Sequence, residues 1–189
     1  ARNANFASIN TIDEDHASAT EVKYASWTYT RAGGFYWAGA YVTDKLAIVG
    51  TDDGAGGYDT NGAALLVFDR FTGEKLDTHE GIRGDIRSNV SHDPQSDRVF
   101  FTTKGGILGN AQIDWDPGKI LDYKEAVISD ANGNTYAMST CTPSVYNGRI
   151  YIGVSGTSQF GANSGHAIAV YDLNGDGTID ENDRYYLGN

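Results

Sequence analysis

The stretch Arg149-Ile-Tyr-Ile-Gly153 opens the part of the sequence that decides the fold, and this part continues through Ala167-Ile-Ala-Val-Tyr171. Both runs are short and apolar, and both are rich in β-branched or aromatic residues. These features are typical of strands in a sheet that is covered on both faces. We therefore interpret the stretch as two neighbouring strands joined by a loop.

The same spacing occurs earlier in the chain. Gly50 ends an apolar run and is followed 19 residues later by Asp69, just as Gly153 is followed 19 residues later by Asp172. A third copy lies about midway, within residues 98–114, so the period is about 51 residues. A period near 50 with about four short strands per unit indicates a β-propeller blade, which buries its two faces against neighbouring blades. A plain β-sandwich is the alternative fold.

The predicted fold is therefore all-β, with about three four-stranded blades that form a partial propeller. A repeat domain of residues 21–189 contains blade-like units at about 35–78, 85–128 and 139–189. Residues 1–20 are predicted to be irregular, and the run Tyr24 to Tyr29 is predicted to be a strand that pairs with a blade's edge. Three twisted sheets leave unpaired edges. We therefore expect either a piece of a longer chain or completion of the propeller by self-association or a partner chain.

Two motifs resemble a known family. Val67-Phe-Asp-Arg-Phe-Thr-Gly-Glu-Lys-Leu76 is similar to the blade motif of pyrroloquinoline-quinone-type propellers, in which an apolar strand ends in Asp-x-x-Thr-Gly. Thr142 to Gly153 is similar to the second and third strands of such a blade. The resemblance covers roughly residues 25–172 and implies a propeller fold, with a fragment of a quinoprotein dehydrogenase-like enzyme as an alternative function. The sequence departs from the family at Asp77, where a docking Trp is common.

The residues after the last apolar run have the pattern of a calcium loop. Calcium takes about six to eight oxygen ligands, which a loop of this type supplies from alternate positions and its last residue. Within residues 172–183 these positions hold Asp172, Asn174, Asp176, Thr178, Asp180 and Asp183. The alternative is a polar turn that closes a hairpin. Because the other repeats have a short turn at this place, we predict that Ca²⁺ stabilises the fold. Asp183 at the last position resembles the loops of dockerin modules, so a dockerin-like assembly module is a further alternative function.

Two loops occupy equivalent places in the repeat, Thr51 to Gly62 and Val154 to His166, and we expect both on one rim of the assembly. Such rims often bind ligands. Three aspartates could hold a second cation, and two aromatic residues could stack on a glycan or protein ligand: Asp52, Asp53 and Asp59, with Tyr58 and Phe160. The alternative is a solvated loop without a ligand.

Catalysis is not indicated by the sequence. Ser91-His92-Asp93 contains the residue types of a catalytic triad, but triad geometry comes from separated elements that meet in space. Cys141 is the only cysteine, so no intrachain disulfide forms, and the adjacent cysteines that contact the quinone in many members of the family are absent. We expect Cys141 to be a buried small apolar residue.

Charge and composition limit the classes of function that the sequence allows. A formal charge of -11 disfavours nucleic acid and anionic membranes, since phosphate binding needs clustered Lys and Arg. No apolar run approaches the roughly 20 residues of a membrane span. An acidic chain with one cysteine and a calcium loop fits an extracellular or cell-surface protein. The sequence thus predicts a non-catalytic, calcium-stabilised propeller module in a binding or structural role.

Overall fold

The computed structural model describes residues 4–9, 24–155 and 166–187, and within these ranges the chain is built of strands and loops, without a helix. Accordingly, the described residues contain no helix that could cross a membrane. The strands are β1 Phe6–Ile9, β2 Ala25–Tyr29, β3 Tyr41–Val42, β4 Leu46–Gly50, β5 Ala63–Asp69, β6 Lys75–Ile82, β7 Ser91–Asp93, β8 Arg98–Thr102, β9 Ile107–Asp114, β10 Lys119–Val127, β11 Ser144–Tyr146, β12 Arg149–Ser155, β13 His166–Leu173 and β14 Ile179–Leu187.

Three four-stranded antiparallel sheets form the body of the molecule. The first sheet has the order β3-β4-β5-β6, the second β7-β8-β9-β10 and the third β11-β12-β13-β14. In each sheet the strands follow one another in sequence order, as a meander. The prediction of an all-β chain with about three four-stranded repeats is confirmed.

The three sheets pack face to face, and the second sheet is covered on both sides. Val99 and Phe101 of β8 belong to the core that the second sheet shares with the first. Phe100 points the other way, into the core shared with Ile152 and Tyr171 of the third sheet. Successive residues of a strand face opposite sides of the sheet. An apolar run without polar alternation is therefore what this sheet needs, and β8 is buried along its whole length.

A ribbon of two strands, β1 and β2, covers the remaining face of the first sheet. The two strands pair antiparallel, and their aromatic side chains pack on Phe68, with ring centroids 5.5 Å away for Phe6 and 4.9 Å for Tyr29. Trp27 is fixed by a hydrogen bond from Nε1 to the carbonyl of Arg70, at 2.8 Å. The large aromatic rings bury more surface on a sheet face than they would along an edge.

Two expectations about this N-terminal region are wrong. Residues 1–20 were expected to be irregular, yet residues 6–9 form strand β1, while residues 1–3 and 10–20 lie outside the described residues. The strand within Tyr24 to Tyr29 was expected to pair with a blade's edge, but it pairs with β1, and the ribbon lies across a face. Only four residues of β1 pair, and so short an alternation is not distinctive in the sequence.

Cys141 is also placed differently from the expectation. It is exposed rather than buried. The residue lies in the connection that precedes β11, not inside a strand, and its thiol lies 3.4 Å from the carbonyl of Thr142. Its neighbours Ala137 and Ser139 in the same connection are fully buried, so the connection is covered on one side and Cys141 points to the other.

Candidate functional site

The predicted calcium loop forms the hairpin between β13 and β14. Asp172 is paired with Asp180 across the two strands, and Leu173 is paired with Ile179. The turn closes through a hydrogen bond from the Asn174 N–H to the Thr178 carbonyl, at 2.8 Å. In the first sheet the equivalent turn begins at Asp69 itself, whose carbonyl accepts the Gly73 N–H at 3.0 Å. The third sheet therefore continues beyond its equivalent aspartate before it turns.

Local hydrogen bonds hold most of the predicted calcium ligands. The carboxylate of Asp172 accepts from Arg149 Nε at 3.2 Å, and Asp180 accepts the Asn182 N–H at 2.8 Å. Asp176 accepts from the Thr178 hydroxyl at 2.6 Å and from the Thr178 N–H at 2.9 Å. These two bonds from Thr178 lower the pKa of Asp176 below its usual value.

The six predicted ligands are only partly brought together. Asp172 to Asp180 share one hairpin, whereas Asp183 lies in a bulge of β14, residues 181–184, that stands opposite the single residue Tyr171. Among the described residues no three His, Cys, Asp or Glu side chains converge in a way that could hold a metal ion. The donor set of carboxylates, an amide and a carbonyl suits calcium chemically. A strand, and not the helix of a dockerin, follows the loop.

The hairpin is also in contact with the second sheet, which the sequence did not indicate. Asn110 Nδ2 donates to the Gly177 carbonyl at 3.2 Å, and Lys124 Nζ donates to the Asp176 carbonyl at 2.8 Å. Gly177 is buried and lies against the guanidinium of Arg98. The turn of the third sheet is therefore part of the interface between two sheets.

The predicted rim loop, Thr51 to Gly62, lies at the opposite end of the sheets from these hairpin turns, because it joins β4 to β5. Asp52 is buried and accepts two hydrogen bonds from Arg87, at 2.8 and 3.2 Å. Arg87 also pairs with the buried Asp85. Burial raises the pKa of Asp85, since a charged carboxylate is costly away from water. The positive charge beside Asp52 is therefore the guanidinium of Arg87, at the place where the sequence suggested a second metal ion.

The remaining rim residues have separate roles. Asp53 caps its own loop, where it accepts from the Ala55 N–H at 2.7 Å and from the Thr60 hydroxyl. Asp59 is exposed. Tyr58 lies beneath Lys104, whose ammonium is 4.1 Å from the ring centroid and 2.8 Å from the phenol oxygen. Phe160, the other predicted stacking residue, lies outside the described residues, as do residues 156–165 of the second rim loop.

Ser91, His92 and Asp93 do not act together. The Ser91 hydroxyl donates to the Pro143 carbonyl at 2.8 Å, and Asp93 accepts from the Ser96 N–H and hydroxyl at 2.9 and 2.7 Å. His92 points away from both because neighbours in a strand face opposite sides.

Comparison with known proteins identifies the architecture. No family model and no curated protein match the sequence. Among solved structures, the β-propeller domain of Cps50 (Swd1) from Myceliophteria thermophila is similar, with a TM-score of 0.53 at 13% identity over 86% of this chain and 50% of that chain. The three sheets are blades of a β-propeller. At this identity the likeness shows the fold alone.

Two further structures are similar over most of the chain. BamB from Moraxella catarrhalis has a TM-score of 0.39 at 15% identity, over 83% of this chain and 55% of that chain. The computationally designed Ika8 protein has a TM-score of 0.40 at 14% identity, over 80% of this chain and 45% of that chain. The chain spans about half the length of each of the three structures that it resembles.

Proposed function

We propose that this chain is a non-catalytic, extracellular or cell-surface β-propeller module with a binding or structural role, and that calcium stabilises it. The observation that carries the proposal is a face of the third sheet that no other sheet covers within the part of the chain that the structure describes. The apolar side chains of this face occupy positions of the repeat that are equivalent to those through which the first sheet packs on the second.

The repeat gives the equivalence of the two faces. Gly153 stands 103 residues after Gly50, so Ile168 takes the place of Leu65. Leu65 is fully buried in the core between the first and second sheets. Ile168 is 48% exposed, and Leu187, which pairs with it across the sheet, is 46% exposed. Tyr185 lies on the same face, two residue pairs further along, and is also exposed.

The occupant that fits this face is a further blade of the same type. Two interfaces in the molecule already join sheets in this manner. In the first of them, Val99 and Phe101 of the second sheet pack on the face of the first sheet that is equivalent to the open face of the third. Burying apolar surface stabilises by about 25 cal/mol per Å². A sheet with an equivalent apolar face would gain this free energy by packing on Ile168, Tyr185 and Leu187.

The test adds such a blade to the chain. A copy of residues 85–128 is placed after Asn189. The linker between Leu187 and the first strand of the copy then has eight residues, the same length as the native linker 83–90 between β6 and β7. We expect a higher melting temperature and protection of the Tyr185 and Leu187 amides from hydrogen exchange. The control carries the same copy with Val99 and Phe101 replaced by Asp. Equal melting temperatures for the two chains would contradict the proposal. If the unmodified chain forms a dimer and Ile168→Lys dissociates it, the occupant of the face is a second copy of the chain and not a further blade.

The calcium part of the proposal is supported by the donor pattern of residues 172–183 and by the position of the hairpin. Its turn contacts Asn110 and Lys124 of the second sheet through backbone carbonyls. A cation that gathered the carboxylates would order the hairpin and with it this contact. With a dissociation constant of about 10 μM and about 1 mM calcium outside cells, binding would stabilise the fold by roughly 2.7 kcal/mol.

Thermal unfolding in calcium and in chelator tests this part. We expect the melting temperature to be higher in calcium, and we expect the difference to vanish in the double variant Asp176→Ala/Asp180→Ala. Glu74→Ala is the matched control, because it removes an exposed carboxylate from the equivalent turn of the first sheet. An unmodified chain that melts at the same temperature in calcium and in chelator would exclude the calcium role.

A further inference from the structure

We propose that the groove between the first and second sheets, lined by Tyr41, His92 and Trp115, binds a neutral pyranose sugar. The groove is open to solvent and has a volume of about 450 Å³, within the range of small-molecule sites in proteins. It lies at the end of the sheets where the hairpin turns are, opposite to the rim loop Thr51 to Gly62. The inference is independent of the open face of the third sheet and of the calcium hairpin.

The three rings of the groove pack at angles to one another. The His92 ring is 4.9 Å from the Trp115 ring at 78°, and 5.2 Å from the Tyr41 ring at 40°. Tyr41 and Trp115 are 6.1 Å apart at 64°. Rings that meet at these angles form the walls of a corner instead of a flat stack. The C–H faces of a sugar ring can pack against such walls, as apolar groups do on aromatic faces.

Hydrogen bonds hold the rings in place before any ligand arrives. Asp97 accepts from Trp115 Nε1 at 2.9 Å, and its carboxylate lies 3.1 Å from His92 Nε2. The other ring nitrogen of His92, Nδ1, lies 3.1 Å from the Tyr41 hydroxyl. Asp97 itself has a φ of 54°, an uncommon backbone conformation for a residue with a side chain. Groups that are already ordered lose little entropy when a ligand binds.

The mouth of the groove offers both donors and acceptors. Lys45 and Asp116 form an exposed ion pair across it, and Thr43 and Asp44 complete the lining. A sugar hydroxyl donates and accepts hydrogen bonds at once, so it can bond to a carboxylate and an ammonium together. An aromatic side chain of a partner protein would fill the walls but would add no hydrogen bonds to the ammonium and the carboxylate, which would then bond only to each other and to water. The chemistry of the groove therefore favours a polyhydroxylated ring.

The indole N–H signals in a ¹H–¹⁵N spectrum test the proposal. The chain has three tryptophans, and Trp115→Phe identifies the signal of Trp115. We expect this signal to move on titration with at least one of methyl β-D-glucopyranoside, methyl α-D-mannopyranoside, methyl β-D-galactopyranoside and N-acetylglucosamine. Trp37 is the internal control, because it is 66% exposed and lies outside the groove.

A second variant separates binding from folding. Asp116 is exposed on a turn, so Asp116→Asn should leave the fold intact, yet it should weaken the titration by roughly tenfold through loss of a charged acceptor. Glu74→Gln, on the equivalent turn of the first sheet, should leave the titration unchanged. The proposal is overturned if none of the four sugars moves the Trp115 signal, if Trp37 moves equally, or if Asp116→Asn binds as well as the unmodified chain.

Discussion

Gly177 of the third sheet lies directly against the side chain of Arg98 of the second: a Cβ at Gly177 would stand 2.4 Å from the guanidinium carbon. Gly177 also has a φ of +83°. The hairpin turn of one blade therefore docks on its neighbour at a position where only glycine fits without displacement.

Gly177→Ala should lower the free energy of unfolding by more than the backbone strain alone. Gly133 is the matched control, with a φ of +82° and open space around its Cβ position. We expect about 1 kcal/mol of destabilisation for Gly133→Ala, from the left-handed conformation, and at least about twice that for Gly177→Ala. Urea denaturation of the two variants measures the difference. The larger loss is expected because Asn110 and Asp122 hold the Arg98 guanidinium in place, and equal losses would mean that this guanidinium moves aside freely.

Arg87→Met should be strongly destabilising because it leaves Asp52 and Asp85 buried without their cation. Both carboxylate side chains are 3% exposed. Removing one partner of a buried ion pair costs about 3–5 kcal/mol. The loss should be larger at alkaline than at acidic pH, where the carboxylates take up protons. Urea denaturation at both pH values checks this, and a loss below about 1 kcal/mol would contradict the account of the triad.

Stability should fall on mild acidification in part because of His79. Its ring stacks on Tyr123 of the second sheet, 3.8 Å between centroids. Burial lowers the pKa of His79 below its usual 6.5, although Glu125 and Glu80 oppose the shift. The unfolded chain therefore takes up the proton first, so stability decreases as the pH falls through about 6.5 and levels off below the folded pKa.

His79→Phe keeps a ring on Tyr123 and removes the titration. We expect the variant to lose less stability than the unmodified chain between about pH 7.5 and pH 5. The measurement is the free energy of unfolding in urea across this range. A parallel decline in both proteins would show that His79 is not responsible.

Phe68→Ala should uncouple the two-stranded ribbon from the first sheet. Phe68 is fully buried beneath Phe6, Trp27 and Tyr29, and truncation of a buried Phe costs about 3–5 kcal/mol. Phe71→Ala is the control, since Phe71 is 65% exposed and a surface change should alter stability by less than about 0.5 kcal/mol. Hydrogen exchange of the Trp27 amide should rise only in Phe68→Ala. Protection of that amide in both variants would contradict the packing.

The repeating part of the fold could be predicted because each blade must bury two faces. The predicted runs 98–102 and 63–69 coincide with β8 and β5, since strands covered on both sides need uninterrupted apolar residues. The spacing of Gly50 and Asp69 marks the ends of paired strands, and the structure pairs Gly50 with Leu65 and Leu46 with Asp69. The local sequence pattern was sufficient here because the same pattern occurs in more than one repeat.

The remaining features depend on contacts that no local pattern records. Asp52 and Arg87 are 35 residues apart in the sequence, and nothing around either residue indicates its partner. The aromatic groove joins Tyr41 of one blade to His92 and Trp115 of the next, so it exists only once the blades are packed. The calcium ligands were found from spacing alone, and their binding stays a prediction.

The ribbon of β1 and β2 makes the two flanks of the module different. One flank of the three blades is sealed by Phe6, Trp27 and Tyr29, while the other flank leaves Ile168 and Leu187 exposed. The exposed flank of one copy therefore cannot dock on the sealed flank of another without displacing the ribbon. The ribbon therefore acts as a steric block against head-to-tail addition of identical copies through these two flanks.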